Sequence, residues 1–209
     1  MFTKIISALF IGTLIISCSH LPKEGSKKKF TSEIDVKSTN VLGFNIREHT
    51  KADLRVVKLM HVPLTREKTF RLILDTMPRW SADLESVTYF KDEKKIGTKS
   101  RFDATHRVCV FQGDKVTELI PKYKEGSLFA YSIEPERSSL NFPIENHLAV
   151  ISVEDDGKGG SLVTWRQYFD KKLHIMAPLV TFAIDGLLED SMEGFTKLYG
   201  GTLLEPVNF

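Results

Sequence analysis

Between residues 87 and 169 turn-forming residues recur so often that no intervening stretch is longer than a strand. Ile96-Gly97, Gln112-Gly113, Glu125-Gly126, Pro135 and the run Asp156-Gly157-Lys158-Gly159-Gly160 divide it into strands expected at 87–90, 100–111, 115–123, 128–133, 145–153 and 161–169. Strands this short and this closely joined imply an antiparallel meander rather than parallel βαβ units. At Pro178 the period changes. Val180, Ile184, Leu187, Leu188, Ser191, Met192, Phe195, Leu198 and Tyr199 recur at helical spacing, with Asp185, Glu189, Glu193 and Lys197 on another face. Pro178 suits a first turn and Gly200-Gly201 a stop, so the spacing predicts one helix over 178–199, about 33 Å long and able to cross a whole sheet.

Upstream, residues 54–62 are dense in Val, Leu and Met and predict a first strand ended by Pro63. Thr65 is placed to cap a helix whose apolar stripe is Phe70, Ile73 and Leu74, and Met77-Pro78-Arg79-Trp80 is expected to break it. Gly186 and Gly194 inside the long helix each cost about 1 kcal/mol relative to alanine. Close approach to strands or to a ligand would account for them, and so would simple tolerance in a well-packed helix.

The N-terminus carries Lys4, an apolar run from Ile5 to Ile16, and Leu14-Ile15-Ile16-Ser17-Cys18. This resembles a bacterial lipoprotein signal, with Cys18 as the residue that would be lipidated. The apolar run falls well short of the roughly 20 residues that a spanning helix needs. An ordinary secretory peptide is the alternative, but a cysteine directly after Ser17 is what lipidation requires. Ser19, rather than an aspartate, implies the periplasmic face of the outer membrane. The expected organisation is a signal peptide over 1–17, a lipidated tether over 18–53, one domain over 54–201 and a tail over 202–209. The apolar cluster Val41, Leu42, Phe44 and Ile46 could dock on the domain and shorten the tether.

The chain has 29 Lys and Arg against 27 Asp and Glu, formally +2, a balance that gives no case for nucleic acid as a partner. With Cys18 acylated, Cys109 would be the only thiol, so no intramolecular disulfide is expected; in an apolar strand it is a buried, inert cysteine. The histidines, at 20, 49, 61, 106, 147 and 174, have no metal-ligand spacing, and neither a metal nor a cofactor is expected.

Several local patterns fall in a telling order: Pro63 and the helix after it, Trp80 after a helix break, Ile96-Gly97-Thr98-Lys99-Ser100-Arg101, Thr117-Glu118-Leu119, Leu128-Phe129-Ala130-Tyr131-Ser132-Ile133, and Val163-Thr164-Trp165 before the long helix. In this order the segment from Val56 to about Tyr199 resembles the START and Bet v 1-like superfamily, in its bacterial polyketide cyclase/dehydrase branch. The resemblance implies an α+β helix-grip fold: a curved antiparallel sheet of about six or seven strands around the C-terminal helix. It also implies a cavity between sheet and helix for a lipid or another apolar molecule.

If Gln112-Gly113 is a two-residue hairpin loop, Arg107 faces Glu118 and Cys109 faces Val116. Such a pair could orient a ligand from the concave face, or be an exposed cross-strand pair on the convex one. Trp80, Phe102, Tyr131, Trp165, Met192 and Phe195 are the candidate cavity wall. Glu118, Arg101 and Tyr131 are the only groups suited to a cyclase-type reaction, which would need a base and a stabilised enolate. The function expected is binding of a hydrophobic small molecule by a membrane-anchored protein. The alternatives are an enzyme acting on an apolar substrate and an envelope structural or partner-binding domain with a filled interior.

Overall fold

The computed structural model describes residues 28–29, 35–140, 143–172 and 177–205. The signal-like segment and Cys18 lie outside these residues. Among the described residues twelve strands and three α-helices follow one another: β1 (Lys28–Lys29), β2 (Asn40–Val41), β3 (Phe44–Asn45), β4 (Leu54–Val62), α1 (Arg66–Asp75), α2 (Met77–Trp80), β5 (Leu84–Lys91), β6 (Lys94–Ile96), β7 (His106–Phe111), β8 (Asp114–Lys124), β9 (Leu128–Ile133), β10 (Ile144–Asp155), β11 (Ser161–Lys171), α3 (Ala177–Tyr199) and β12 (Thr202–Glu205). Ten strands form one sheet in the order β1-β12-β4-β11-β10-β9-β8-β7-β5-β6. All neighbours are antiparallel except β1 and β12.

The β7–β8 hairpin has the register that its turn dictates. Gln112 and Gly113 both have positive φ, 48° and 85°, as a two-residue type I′ turn requires. Arg107 therefore pairs with Glu118, Cys109 with Val116 and Phe111 with Asp114. Alternation then sorts the side chains: Val116, Phe129, Tyr131, Ala149, Ile151, Val163, Trp165 and Phe169 point to the concave face. Against them lie α1, α2 and the inner stripe of α3, made by Val180, Leu188, Met192 and Phe195.

Three local expectations are corrected. α1 does end at Asp75 as expected, but residues 77–80 are a short helix of their own, α2, because Pro78 occupies a first turn where its missing N–H is not needed. Thr65 makes no side-chain cap to α1; Thr69 secures the helix entry instead, its hydroxyl donating to the Leu64 carbonyl and accepting from Ser161 Oγ. The strand expected over 100–111 begins only at His106. Thr98–Asp103 is a 3-10 helix, wound so that Arg101 turns inward to Asp75.

The two flanks of the domain are longer than expected. From Asp35 onward the supposed tether is a folded strap across the convex face of the sheet. Val41, Phe44, Ile46 and Ala52 pack there on Leu128, Ala130, Leu148, Val150 and Tyr168, and Val36 packs on Val57, Leu59, Leu162 and Leu204. The strap explains why β10 and β11 are buried on both faces. It also buries Arg166, which donates from Nε to the Val36 carbonyl at 3.2 Å and from Nη1 to Ser152 Oγ at 3.0 Å. Residues 202–205, expected in a tail, form β12 on β4, where burial of Leu204 in the Val36 cluster holds them.

Candidate functional site

The polar side chains of the concave face gather in the middle of the sheet. β7 and β8 place Arg107 beside Glu118, and both are buried. Arg107 Nε donates to Glu118 Oε2, the same oxygen that the Cys109 thiol approaches at 3.4 Å. Arg107 Nη1 lies 3.5 Å from the Met77 sulfur, and its guanidinium carbon sits 4.7 Å from the Phe129 ring centroid and 4.6 Å from that of Tyr131. Two aromatic faces and one carboxylate thus hold a cation that burial alone would not tolerate. Burial acts to lower the Arg107 pKa, but Glu118, aided by Cys109, Tyr89 and Tyr131, outweighs it, and the guanidinium is held well above its ordinary value. Burial, reinforced by Glu118, pushes up both the Cys109 thiol and the Tyr131 phenol. The two stay protonated.

A directed hydrogen-bond chain crosses β9, β10 and β11 beside this pair. The Ile133 backbone N–H donates to His147 Nδ1 at 3.1 Å, so the proton of the neutral imidazole is on Nε2. His147 Nε2 then donates to Gln167 Oε1 at 2.7 Å, which turns the amide so that Gln167 Nε2 donates to the Tyr131 hydroxyl at 3.4 Å. Burial lowers the His147 pKa to about 4, with the Gln167 contact opposing the shift. His147 is therefore a neutral, fixed-tautomer link at physiological pH.

Four of the six residues expected at the wall surround this centre. Trp80 and Trp165 meet edge to face with ring centroids 6.2 Å apart, Trp80 meets Phe195 at 5.5 Å, and Met192 is buried in the same core. Tyr131 lies in the sheet wall, joining the ion pair to the hydrogen-bond chain. Phe102 is misplaced by the expectation: it is 59% exposed on the 3-10 helix, the side opposite to the inward Arg101. Arg101 does not reach the central cluster. It is paired with Asp75 and donates to the Thr98 carbonyl, which makes it a clamp between α1 and the 3-10 turn. Glu118 and Arg107 face the interior, which settles the face that the sequence left open.

Sequence reasoning missed Gln167 and His147. They are 20 residues apart and meet only through the β10–β11 register, so their types alone gave no signal. It also missed Tyr89, whose hydroxyl, like the indole N–H groups of the expected Trp80 and Trp165, is buried with no partner at hydrogen-bond geometry among the described residues. A concavity of about 340 Å³ lies on the other face, where a register shift in β8 opens the sheet beside Leu119, Ile120, Pro121, Ser132, Leu148 and His49. Among the described residues no group of histidine, cysteine or acidic side chains could hold a metal ion.

No family model and no curated protein matches the chain. Solved structures do. The protein XoxI from Bacillus cereus superposes with a TM-score of 0.56 at 18% identity, over 69% of this chain and 94% of that one. A START superfamily protein from Mycobacterium smegmatis gives 0.50 at 12% identity, over 71% and 95%. The ginseng major latex-like protein 151 from Panax ginseng gives 0.50 at 12%, over 69% and 95%. The sheet order, the concave packing and these superpositions agree on one architecture: the chain has the helix-grip fold of START and Bet v 1-like proteins.

Proposed function

We propose that the protein binds one hydrophobic small molecule or lipid between the concave face of its sheet and α3, while tethered to a bacterial membrane through Cys18. One observation carries the binding reading. Inward-pointing Val87, Phe111, Ile133 and Ile184 are only partly buried although they pack against the core, so the long helix does not close the sheet along its whole length. The first turns of α3 also leave Leu179 and Phe182 in the open, an apolar flank past which a guest would enter. Apolar surface covered by a guest stabilises the complex by about 25 cal/mol per Å².

The anchoring rests on Leu14-Ile15-Ile16-Ser17-Cys18, and the periplasmic side of the outer membrane on Ser19. An enzyme of the polyketide cyclase/dehydrase type is disfavoured by the state of its candidate residues. Glu118 is tied to Arg107 and Cys109, Arg101 to Asp75, and the Tyr131 phenol is held protonated.

Native mass spectrometry of the protein extracted from its own membrane tests both parts. The expected result is a diacylglyceryl mass on the mature N-terminus and one retained guest per chain. A delipidated protein that carries no guest and takes up no fluorescent fatty acid, sterol or other apolar probe refutes the binding reading. A Cys18→Ser protein that stays in the membrane fraction refutes the anchor.

A further inference from the structure

The hydrogen-bond chain beside the ion pair has a direction, and the direction determines what it presents to the interior. A backbone N–H that cannot accept starts it, at Ile133. Each link then donates onward, from His147 to Gln167 and from Gln167 to the Tyr131 oxygen. Because the phenol accepts in that bond, its own proton is left to donate. The indole N–H of Trp165 lies beside the same hydroxyl and is buried with no partner at hydrogen-bond geometry among the described residues. In the sheet, Ala149 stands between Tyr131 on β9 and Gln167 on β11, so the centre of this row is its smallest side chain. Two donors thus converge over a small residue. Buried donors without partners each cost about 1–3 kcal/mol and call for an acceptor.

The charge inventory narrows the acceptor. Arg107 is matched by Glu118 and capped by two rings, His147 is held neutral, and Cys109 and Tyr131 keep their protons. A carboxylate entering here would have no uncompensated cation to meet, and an ammonium would face donors. Resting on the binding reading above, we infer that the guest is an uncharged apolar molecule with a hydrogen-bond-accepting oxygen, a ketone or ester, received by the Tyr131 hydroxyl and the Trp165 indole.

Trp80 and Trp165 are the chain's 2 tryptophans, so intrinsic fluorescence reports on this site alone. The full chain is titrated at pH 7.5 with dodecyl methyl ketone, methyl laurate, lauric acid, dodecylamine and dodecane. The expected outcome is that ketone and ester bind about tenfold tighter than the other three, one satisfied hydrogen bond being worth about a factor of ten. In Tyr131→Phe the ketone should fall to the affinity of dodecane, while dodecane itself is unchanged. Trp165→Phe, with emission then from Trp80, should reduce the same preference. If lauric acid or dodecylamine binds as tightly as the ketone, or if both variants keep the preference, the assignment of ligand class is overturned and binding itself stands. If none of the five binds, both readings fall.

Discussion

Acidification gives the sharpest test of the buried hydrogen-bond chain, because one of its links is a histidine whose pKa folding moves far from the ordinary value. His147 titrates near pH 6.5 when unfolded and at about 4 when folded, where burial disfavours the charged ring. Between those values the unfolded chain binds a proton that the folded chain does not, so stability falls as pH drops through this window. Above pH 7 both states are neutral and the effect vanishes. Between pH 7.5 and pH 5 the loss is about 2 kcal/mol, approaching about 3 kcal/mol below pH 4. The comparison is His147→Asn, which offers an oxygen to the Ile133 N–H and cannot titrate. Urea unfolding of both proteins at pH 7.5 and pH 5 separates this residue from every other titrating group, since those groups act in both. The parent should lose about 2 kcal/mol more than the variant over that interval. Equal losses would refute the buried neutral imidazole, and with it the direction assigned to the chain.

Other perturbations probe the remaining supports. Glu118→Gln leaves the Arg107 cation buried without its carboxylate and should cost about 3–5 kcal/mol in urea unfolding, less whatever the Phe129 and Tyr131 rings recover, whereas the paired change Arg107→Met with Glu118→Leu should be near neutral. Gly194→Ala should destabilise despite alanine's better helix propensity, because its Cβ would lie 2.3 Å from the Trp80 carbonyl oxygen. Gly186→Ala meets nothing within 4 Å and should raise the melting temperature by the equivalent of up to about 1 kcal/mol. Phe44→Ala should cost about 3–5 kcal/mol in chemical unfolding if the strap belongs to the fold, and well under 1 kcal/mol if it is a tether.

Much of this architecture was legible because its signals are local. Gln112-Gly113 specifies a turn type, the turn type specifies a register, and the register pairs Arg107 with Glu118. The long helix is equally plain, since its inner stripe repeats over its whole length. Docking of Val41, Phe44 and Ile46 was legible as an apolar cluster in a polar stretch, but the full extent of the strap was not, because Val36 and Ala52 look scattered until the surface beneath them is known. A signal for it did exist on the sheet side. Leu148-Ala149-Val150-Ile151 is an unbroken apolar run, and a strand with one wet face would have alternated. Arg101 and Phe102 failed for the opposite reason. A strand would have put Phe102 in the wall, but the attraction of Arg101 to Asp75, remote in sequence, favours a tighter 3-10 turn that reverses which side chain goes in.

The candidate site combines both kinds of information, and its chemistry follows from the combination. Single residue types suggested Glu118 and Tyr131 as reactive groups, since a carboxylate and a phenol in an apolar interior can serve as base and acid. The neighbours supplied by the register remove that freedom. Arg107 and Cys109 occupy the carboxylate, and Gln167, itself oriented by His147, fixes the phenol as an outward donor. A group whose proton is held by burial and whose orientation is set by three successive hydrogen bonds is suited to recognising an acceptor and poorly suited to shuttling protons. Recognition should accordingly vary little with pH between about 5.5 and 9, because burial keeps the Tyr131 phenol and the Cys109 thiol protonated and His147 neutral there. An enzyme built on Glu118 or Tyr131 would instead show a rate that rises or falls as its base or acid titrates.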